Sequence, residues 1–293
     1  MIPDALASAA GRRLARQLLH PPRKQHHRSP DDHGLPATAL IARSPDGVDL
    51  HLWLIPGSGA GTVVVGHGIG LTKSASLRQV ALLHESGYHV VMLDHRNHGL
   101  SGADRSRQHL AQRYSSDIGT AVEAAHTAWP HSPKLIVWGF SFSTFPTLHS
   151  LRHPCTPIHG IICDSGPGLD LETMLQDFLT GGNLPAPPGT RRFLRSRKVA
   201  DAFAAAAIAM LGTTWPPDSE TSAASSVPML FLVGREDRVV APEQIRALAA
   251  RYPRARHAEF PADHLESVKA APEAYREAVG SFLASLTAPE PHG

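Results

Sequence analysis

The stretch Lys134-Leu-Ile-Val-Trp-Gly-Phe-Ser-Phe-Ser-Thr144 constrains the fold more than any other. Leu135 to Trp138 is an apolar run long enough for a buried strand and too short for a helix. It ends at Gly139-Phe140-Ser141-Phe142-Ser143, after which Thr144, Thr147, Leu148 and Leu151 follow at roughly helical spacing. A strand, a sharp turn and a helix with a serine at the apex form the context in which G-x-S-x-G has mechanical meaning. Strand and helix approach closely at such a turn, so the residues two either side of the serine must be small. Gly139 meets that demand outright. Ser143 stands where the pattern has its second glycine and adds a hydroxymethyl group, which a small residue makes tolerable.

The segments around this stretch extend the argument to a sheet. Thr38–Arg43 and Val48–Ile55 predict two strands joined by the turn Ser44-Pro-Asp-Gly47, with Val48, Leu50, Leu52 and Leu54 on one face. From Thr62 the pattern changes to continuous apolar runs, as expected of parallel strands buried on both faces. Thr62–Val65 is such a run, and His89–Leu93, Leu135–Trp138, Ile158–Cys163, Met229–Val233 and His257–Phe260 are the further expected strands. Helices are expected over 74–86, 114–129, 242–252 and 272–286. Strands alternating with helices mean a doubly wound, mostly parallel α/β sheet with an N-terminal hairpin.

Two regions depart from that rhythm. Residues 1–37 are expected to hold an amphipathic surface helix over 4–19 and a solvated linker, Pro21-Pro-Arg-Lys-Gln-His-His-Arg-Ser-Pro30. Residues 165–226 carry Pro/Gly-rich turns (Gly166-Pro-Gly168, Pro185-Ala-Pro-Pro-Gly189, Trp215-Pro-Pro217) and two helical patterns, Leu169–Thr180 and Arg191–Leu211. They are expected to insert as a helical cap between two parts of one core, 38–164 and 227–293. The cluster Arg191, Arg192, Arg195, Arg197 and Lys198 is expected to be a solvated helix face, with an anionic substrate or carrier as the alternative.

Composition enters by exclusion. A net charge of +2 gives no large field of one sign and no case for nucleic acid. No apolar run approaches the length of a membrane span, and Gly11-Arg-Arg-Leu-Ala-Arg16 interrupts the Ala-rich opening where a signal peptide would need an apolar core. The two cysteines, Cys155 and Cys163, read as free thiols of a reducing compartment, so a cytoplasmic location is expected. The 19 histidines are scattered without metal-ligand spacing, and neither metal nor organic cofactor is expected.

Three further segments lie where a strand gives way to its loop, the place where sites form in open α/β sheets. Val65-Gly-His-Gly-Ile-Gly70 brings backbone N–H groups toward a ligand. Val233-Gly-Arg-Glu-Asp237 supplies a carboxylate, and Pro261-Ala-Asp-His-Leu265 an imidazole. The order Ser141, Asp237, His264, with the HGxG-type loop and Leu93-Asp-His-Arg-Asn-His-Gly-Leu-Ser101, resembles the α/β-hydrolase fold family from Asp46-Gly47 to His264. Within it the chain looks most like bacterial serine hydrolases of S33-peptidase-like and dienelactone-hydrolase-like branches.

The resemblance implies Ser141 as nucleophile, His264 as base and then acid, Asp237 as the group that orients the ring, and the N–H groups of Ile69 and Phe142 as the oxyanion hole. His67 and His257 are the rivals of His264. Asp164 and Asp263 are the rivals of Asp237, and the pattern Gly234-x-x-Asp237-x-x-Val240 favours Asp237. Asp94, Arg96 and His98 are expected to brace a loop. His67, Leu175, Phe178 and Phe193 are the candidate substrate-binding residues. The implied activity is cleavage of a carboxylic ester or thioester through an acyl-enzyme, on a small-molecule, acyl-carrier or CoA-linked substrate. The alternatives are an acyltransferase or cyclase using the same triad, and a non-catalytic binding protein on this scaffold.

Overall fold

The structure, a computed structural model, describes residues 2–151, 157–184, 189–220 and 222–286. Cys155 and the turn residues 185–188 lie outside the described residues. The elements in order are α1 (Asp4–Leu19), β1 (Thr38–Arg43), β2 (Asp49–Ile55), β3 (Thr62–Gly66), α2 (Leu77–Glu85), β4 (His89–Leu93), α3 (Leu110–Ala128), β5 (Leu135–Phe140) and α4 (Thr144–Ser150). Then follow β6 (Gly160–Asp164), α5 (Leu171–Thr180), α6 (Arg191–Leu194), α7 (Arg197–Leu211), α8 (Ser222–Ser226), β7 (Met229–Gly234), α9 (Pro242–Ala249), β8 (Ala255–Phe260), α10 (Ser267–Ala270) and α11 (Pro272–Ser285).

The eight strands form one sheet in the order β1-β2-β4-β3-β5-β6-β7-β8. β1 pairs antiparallel with β2, and β2 antiparallel with β4; every later pair is parallel. Alternation along the central strands divides the core. Val63, Val65, Ile136 and Trp138 face α2 and α11 through Leu77, Val80, Tyr275 and Phe282. Val64, Val91 and Val137 face α3 through Ile118, Ala121 and Val122. Ile161, Phe231 and Val233 meet Leu148 of α4 and Ile245 and Leu248 of α9. Both faces are therefore covered, which is why β3 and β5 read as unbroken apolar runs rather than as alternating ones. Among the described residues, no helix is long and apolar enough to cross a membrane.

The two departures from the α/β rhythm meet in space. Leu14, Leu18 and Leu19 of α1 share one apolar cluster with Leu175 and Leu179 of α5 and Val199, Phe203 and Ala207 of α7. Helix α1, expected on the surface of the body, instead packs on the insertion. Gly11 explains how. A β-carbon there would stand 2.5 Å from the carbonyl carbon of Ala202, so only glycine lets the two helices cross this closely. The end of α1 is held from below, since the Tyr114 hydroxyl of α3 donates to the Leu19 carbonyl at 2.9 Å. At its other end Lys198 pairs with Asp4 at 2.6 Å.

The expected solvated linker is also tethered. The His26 ring donates to Asp94 Oδ2 at 2.8 Å and lies against Trp53 with ring centroids 4.8 Å apart. Lys73, itself buried, points Nζ at the same carboxylate oxygen at 2.6 Å and toward His51 Nδ1 at 2.9 Å. A buried ammonium needs such partners. The expected helix over Arg191–Leu211 is two helices, because Ser196 takes an extended conformation (φ −69°, ψ 130°) and starts α7 afresh.

Candidate active site

Strand β5 leads into the turn as the sequence predicts, and the turn is strained where it must be. Ser141 has φ 49°, a left-handed conformation that costs a non-glycine residue roughly 1–3 kcal/mol. A β-carbon on Gly139 would lie 2.6 Å from the Ser143 carbonyl oxygen, so the strand and the following helix close on each other only because that position is glycine. Ser143 is fully buried. Its hydroxyl fits because Gly66 of the neighbouring strand β3 has no side chain: a β-carbon there would fall 2.0 Å from Ser143 Oγ. The Ser143 hydroxyl also bonds His95 Nε2 at 2.9 Å. The departure from the second glycine is thus matched by a glycine on the next strand.

The loops after β7 and β8 bring the other two groups to Ser141. The Asp237 side chain is fully buried, and its Oδ1 accepts the N–H groups of Val239 and Val240, each at 2.8 Å. That pair of bonds fixes the carboxylate and leaves Oδ2 for His264 Nδ1, at 2.8 Å. His264 Nδ1 is accordingly the donor, and Nε2 faces Ser141 Oγ at 3.0 Å as acceptor. These three residues, 96 and 27 positions apart in the chain, form one continuous hydrogen-bonded array.

The rivals are placed elsewhere. His257 is exposed on β8. Asp263 accepts the His264 N–H at 2.7 Å and the Arg238 N–H at 3.2 Å, bracing the loop from outside. Asp164 ends β6 in full burial, where Tyr275 donates to Oδ2 and the Ser165 hydroxyl donates to Oδ1 at 3.1 Å. Burial pushes its carboxyl up to about 6 against the pull of those bonds and of the nearby His264.

The loop after β3 lies over the serine. A β-carbon on Gly68 would approach Ser141 Cβ to 3.2 Å, so the backbone of this loop sits against the turn. The N–H groups of Ile69 and Phe142 donate to no acceptor among the described residues. His98 braces the loop by accepting the Gly70 N–H at 3.0 Å, and burial lowers its ring to about 4, which keeps it neutral for that task. His67, expected among the substrate-binding residues, is buried and does not line the cavity at Ser141. It is 1 % exposed, its Nδ1 donates to the Gly68 carbonyl at 2.8 Å, and its Nε2 accepts the His95 N–H at 3.1 Å. Burial holds its ring well below the usual range, so both nitrogens are committed to backbone.

Asp94, Arg96 and His98 hold the loop after β4, as the sequence predicts. Arg96 is fully buried and donates to Asp117, Asp46 and Asp104 at 2.7, 2.6 and 2.8 Å. That guanidinium holds the Asp46 carboxyl down at about 2.

Ser141 lines an apolar cavity. Leu175 and Phe178 of α5 line it and Phe193 does not; Phe193, on α6, packs against the α1–α5–α7 cluster. Leu18 and Leu19 also stand in the wall, and so do Val239 and Val240 beside the carboxylate. Leu18 and Leu19 follow no motif; only the packing of α1 on α7 puts them there.

Residues 57–180 match the family model described as serine aminopeptidase, S33, which spans the loop after β3 and the turn at Ser141 but neither Asp237 nor His264. No curated protein matches the sequence. Among solved structures, an esterase of Pyrococcus furiosus superposes with a TM-score of 0.74 at 22% identity, over 92% of this chain and 98% of that one. An esterase of Exiguobacterium antarcticum gives 0.61 at 18%, over 85% of this chain and 100% of that one. A bromoperoxidase of Bacillus anthracis gives the same 0.61 and 18%, over 85% and 100%. The shared property of these proteins and this chain is the fold.

Proposed function

This chain has the α/β-hydrolase fold, and on that premise we propose that it is a serine hydrolase cleaving a carboxylic ester or thioester through an acyl-enzyme. The observation that carries the reading is the array Ser141 Oγ to His264 Nε2, 3.0 Å, and His264 Nδ1 to Asp237 Oδ2, 2.8 Å, opening on an apolar cavity. Esterases among the superposing structures are consistent with it, although fold alone does not assign a reaction.

In this reading Ser141 Oγ attacks the acyl carbon while His264 Nε2 takes its proton. Asp237, held by two backbone N–H groups, keeps Nδ1 protonated and stabilises the imidazolium that forms. The carbonyl oxygen becomes an oxyanion facing the N–H groups of Ile69 and Phe142, each worth roughly 3–4 kcal/mol in the transition state. The C–O or C–S bond then breaks, and His264 passes its proton to the leaving alcohol or thiol. Water, deprotonated by the same ring, releases the acid and restores Ser141.

The test is intact mass after exposure to a fluorophosphonate, with p-nitrophenyl ester turnover measured on the same samples. One adduct on the wild type and none on Ser141→Ala, together with turnover only in the wild type, is the expected result. A folded wild-type chain that takes no adduct and turns over no ester overturns the reading. Adding an alcohol or amine to the turnover assay separates hydrolysis from acyl transfer, since a transferase yields the acceptor's ester or amide in place of free acid.

A further inference from the structure

Three cavities lie side by side between the surface and Ser141, each sharing lining residues with the next. The apolar cavity at the serine shares Leu18, Ile69 and Phe178 with a channel between residues 17–24 and helix α5. That channel shares Gln17, Pro21 and Arg23 with an open groove between α1 and the loop after β4. The groove is walled by five arginines: Arg13, Arg16 and Arg23 from the N-terminal segment, and Arg105 and Arg107 from the loop.

All five are exposed, and among the described residues none lies within ion-pair distance of a carboxylate. Asp104, the carboxylate in the groove, is already held by Arg96 at 2.8 Å and Arg113 at 3.1 Å. His20, Asn97 and Gln17 complete the polar lining. Five exposed guanidinium groups around one concavity make a local positive field that draws an anion, and each offers the planar fork of donors that a phosphate accepts. Nor does the patch suit insertion into a lipid surface, because the apolar face of α1 is spent on α7.

We propose that the groove holds phosphate on the leaving-group half of the substrate, while the acyl half occupies the apolar cavity. This rests on the reading of Ser141 as nucleophile. The assignment of halves follows from solvation. A phosphate cannot enter a cavity whose wall is Leu18, Leu19, Phe145, Leu171, Leu175 and Phe178 without losing its water to no donor, whereas an acyl chain gains by entering. The reach is also suitable. Leu19 lines the cavity, and Arg16 and Arg13 stand three and six residues back along the same helix, roughly 5 and 9 Å at 1.5 Å per residue. A nucleotide thiol and a glycerophosphate alcohol both carry the required group.

The experiment uses the full chain and two substrate pairs, each differing by phosphate: octanoyl-CoA against S-octanoyl-N-acetylcysteamine, and octanoyl glycerol 3-phosphate against monooctanoyl glycerol. The readout is the ratio of kcat/KM within a pair, for wild type, Arg13→Ala/Arg16→Ala, Arg105→Ala/Arg107→Ala, and the control Arg251→Ala/Arg256→Ala at the far side of the sheet. The expected result is a wild-type ratio above one in one pair, which names the source of the phosphate. Each groove variant lowers it about ten- to a hundred-fold and the control leaves it in place. Raising the salt toward 1 M, where the screening length is about 3 Å, should flatten the preference. No phosphate preference in either pair, or an equal loss in the control, overturns the proposal while leaving the hydrolase reading intact.

Binding separates the two ideas further. Calorimetry of desulfo-CoA and of glycerol 3-phosphate on Ser141→Ala, with and without the groove substitutions, needs no turnover. Binding lost with the arginines supports the groove even if no ester is cleaved. Absence of binding, with phosphate-free esters still cleaved, removes it.

Discussion

The turn after β5 carries two serines, and each faces a histidine with an aspartate behind it. Ser141 meets His264 at 3.0 Å, and His264 meets Asp237 at 2.8 Å. Two residues on, Ser143 meets His95 at 2.9 Å, while His95 Nδ1 stands 3.7 Å from Asp117 and has no hydrogen-bond partner among the described residues. The residue types are the same and the environments are opposite. Ser141 lines a cavity; Ser143 is fully buried against β3. Asp237 gives one oxygen to backbone and keeps the other for its histidine, whereas Asp117 is occupied by Arg96. A serine, a histidine and an aspartate become a candidate nucleophilic array only where a substrate reaches the hydroxyl and the carboxylate is free to order the ring. The second array is a brace for the first.

The largest expected break of this contrast is Ser141→Ala, which should abolish the fluorophosphonate adduct and lower ester turnover by roughly 10⁶-fold, with Ser143 taking up none of the label. Asp237→Asn should keep the fold and lower kcat by about 10⁴-fold, because the ring is no longer held in the productive tautomer. The matching change in the other array, Asp117→Asn, should appear in thermal stability through the loss of a buried partner of Arg96, and chiefly as Tm rather than as a pH-dependent rate.

A third aspartate sharpens the comparison through pH. Asp164 is raised from 3.8 to about 6 by burial. A carboxyl raised on folding contributes stability that is full below its unfolded value and lost as pH rises through the folded one. The wild type should therefore lose about 2 kcal/mol between pH 4 and pH 7 from this group alone. Asp164→Asn should flatten that slope, as read by denaturant titration across the window. A slope unchanged by the substitution would place the pH dependence in other groups.

Smaller effects probe the glycine that makes room for Ser143. Gly66→Ala should cost roughly 1–3 kcal/mol, since its β-carbon overlaps Ser143 Oγ, and Ser143→Gly in the same chain should recover most of the loss in Tm. Ser143→Ala alone should leave His95 Nε2 buried without its partner, cost about 1 kcal/mol, and change the labelling of Ser141 little.

Much of this was legible in the residues. The unbroken apolar runs of β3, β5, β6 and β7 announce strands covered on both faces, and the small residues around Ser141 announce a tight turn, because both are local demands of the backbone. The order of the three loops then predicts which groups converge at the carboxyl ends of the strands. What escaped is non-local. Leu18 and Leu19 of α1 belong to no motif, yet they line the cavity at Ser141. Phe193 has the hydropathy of a pocket residue, yet it packs against the helical cluster without lining the cavity.

The sequence by itself therefore determined the sheet, the strained serine and the candidate array, since each rests on periodicity, side-chain size and chain order. Tertiary structure alone decided that α1 covers the cavity by crossing α7 at Gly11, and that arginines some 90 residues apart wall one groove. The physical reason is the same in each case. These features depend on which surfaces meet after the chain has folded, and no pattern within either partner encodes the meeting.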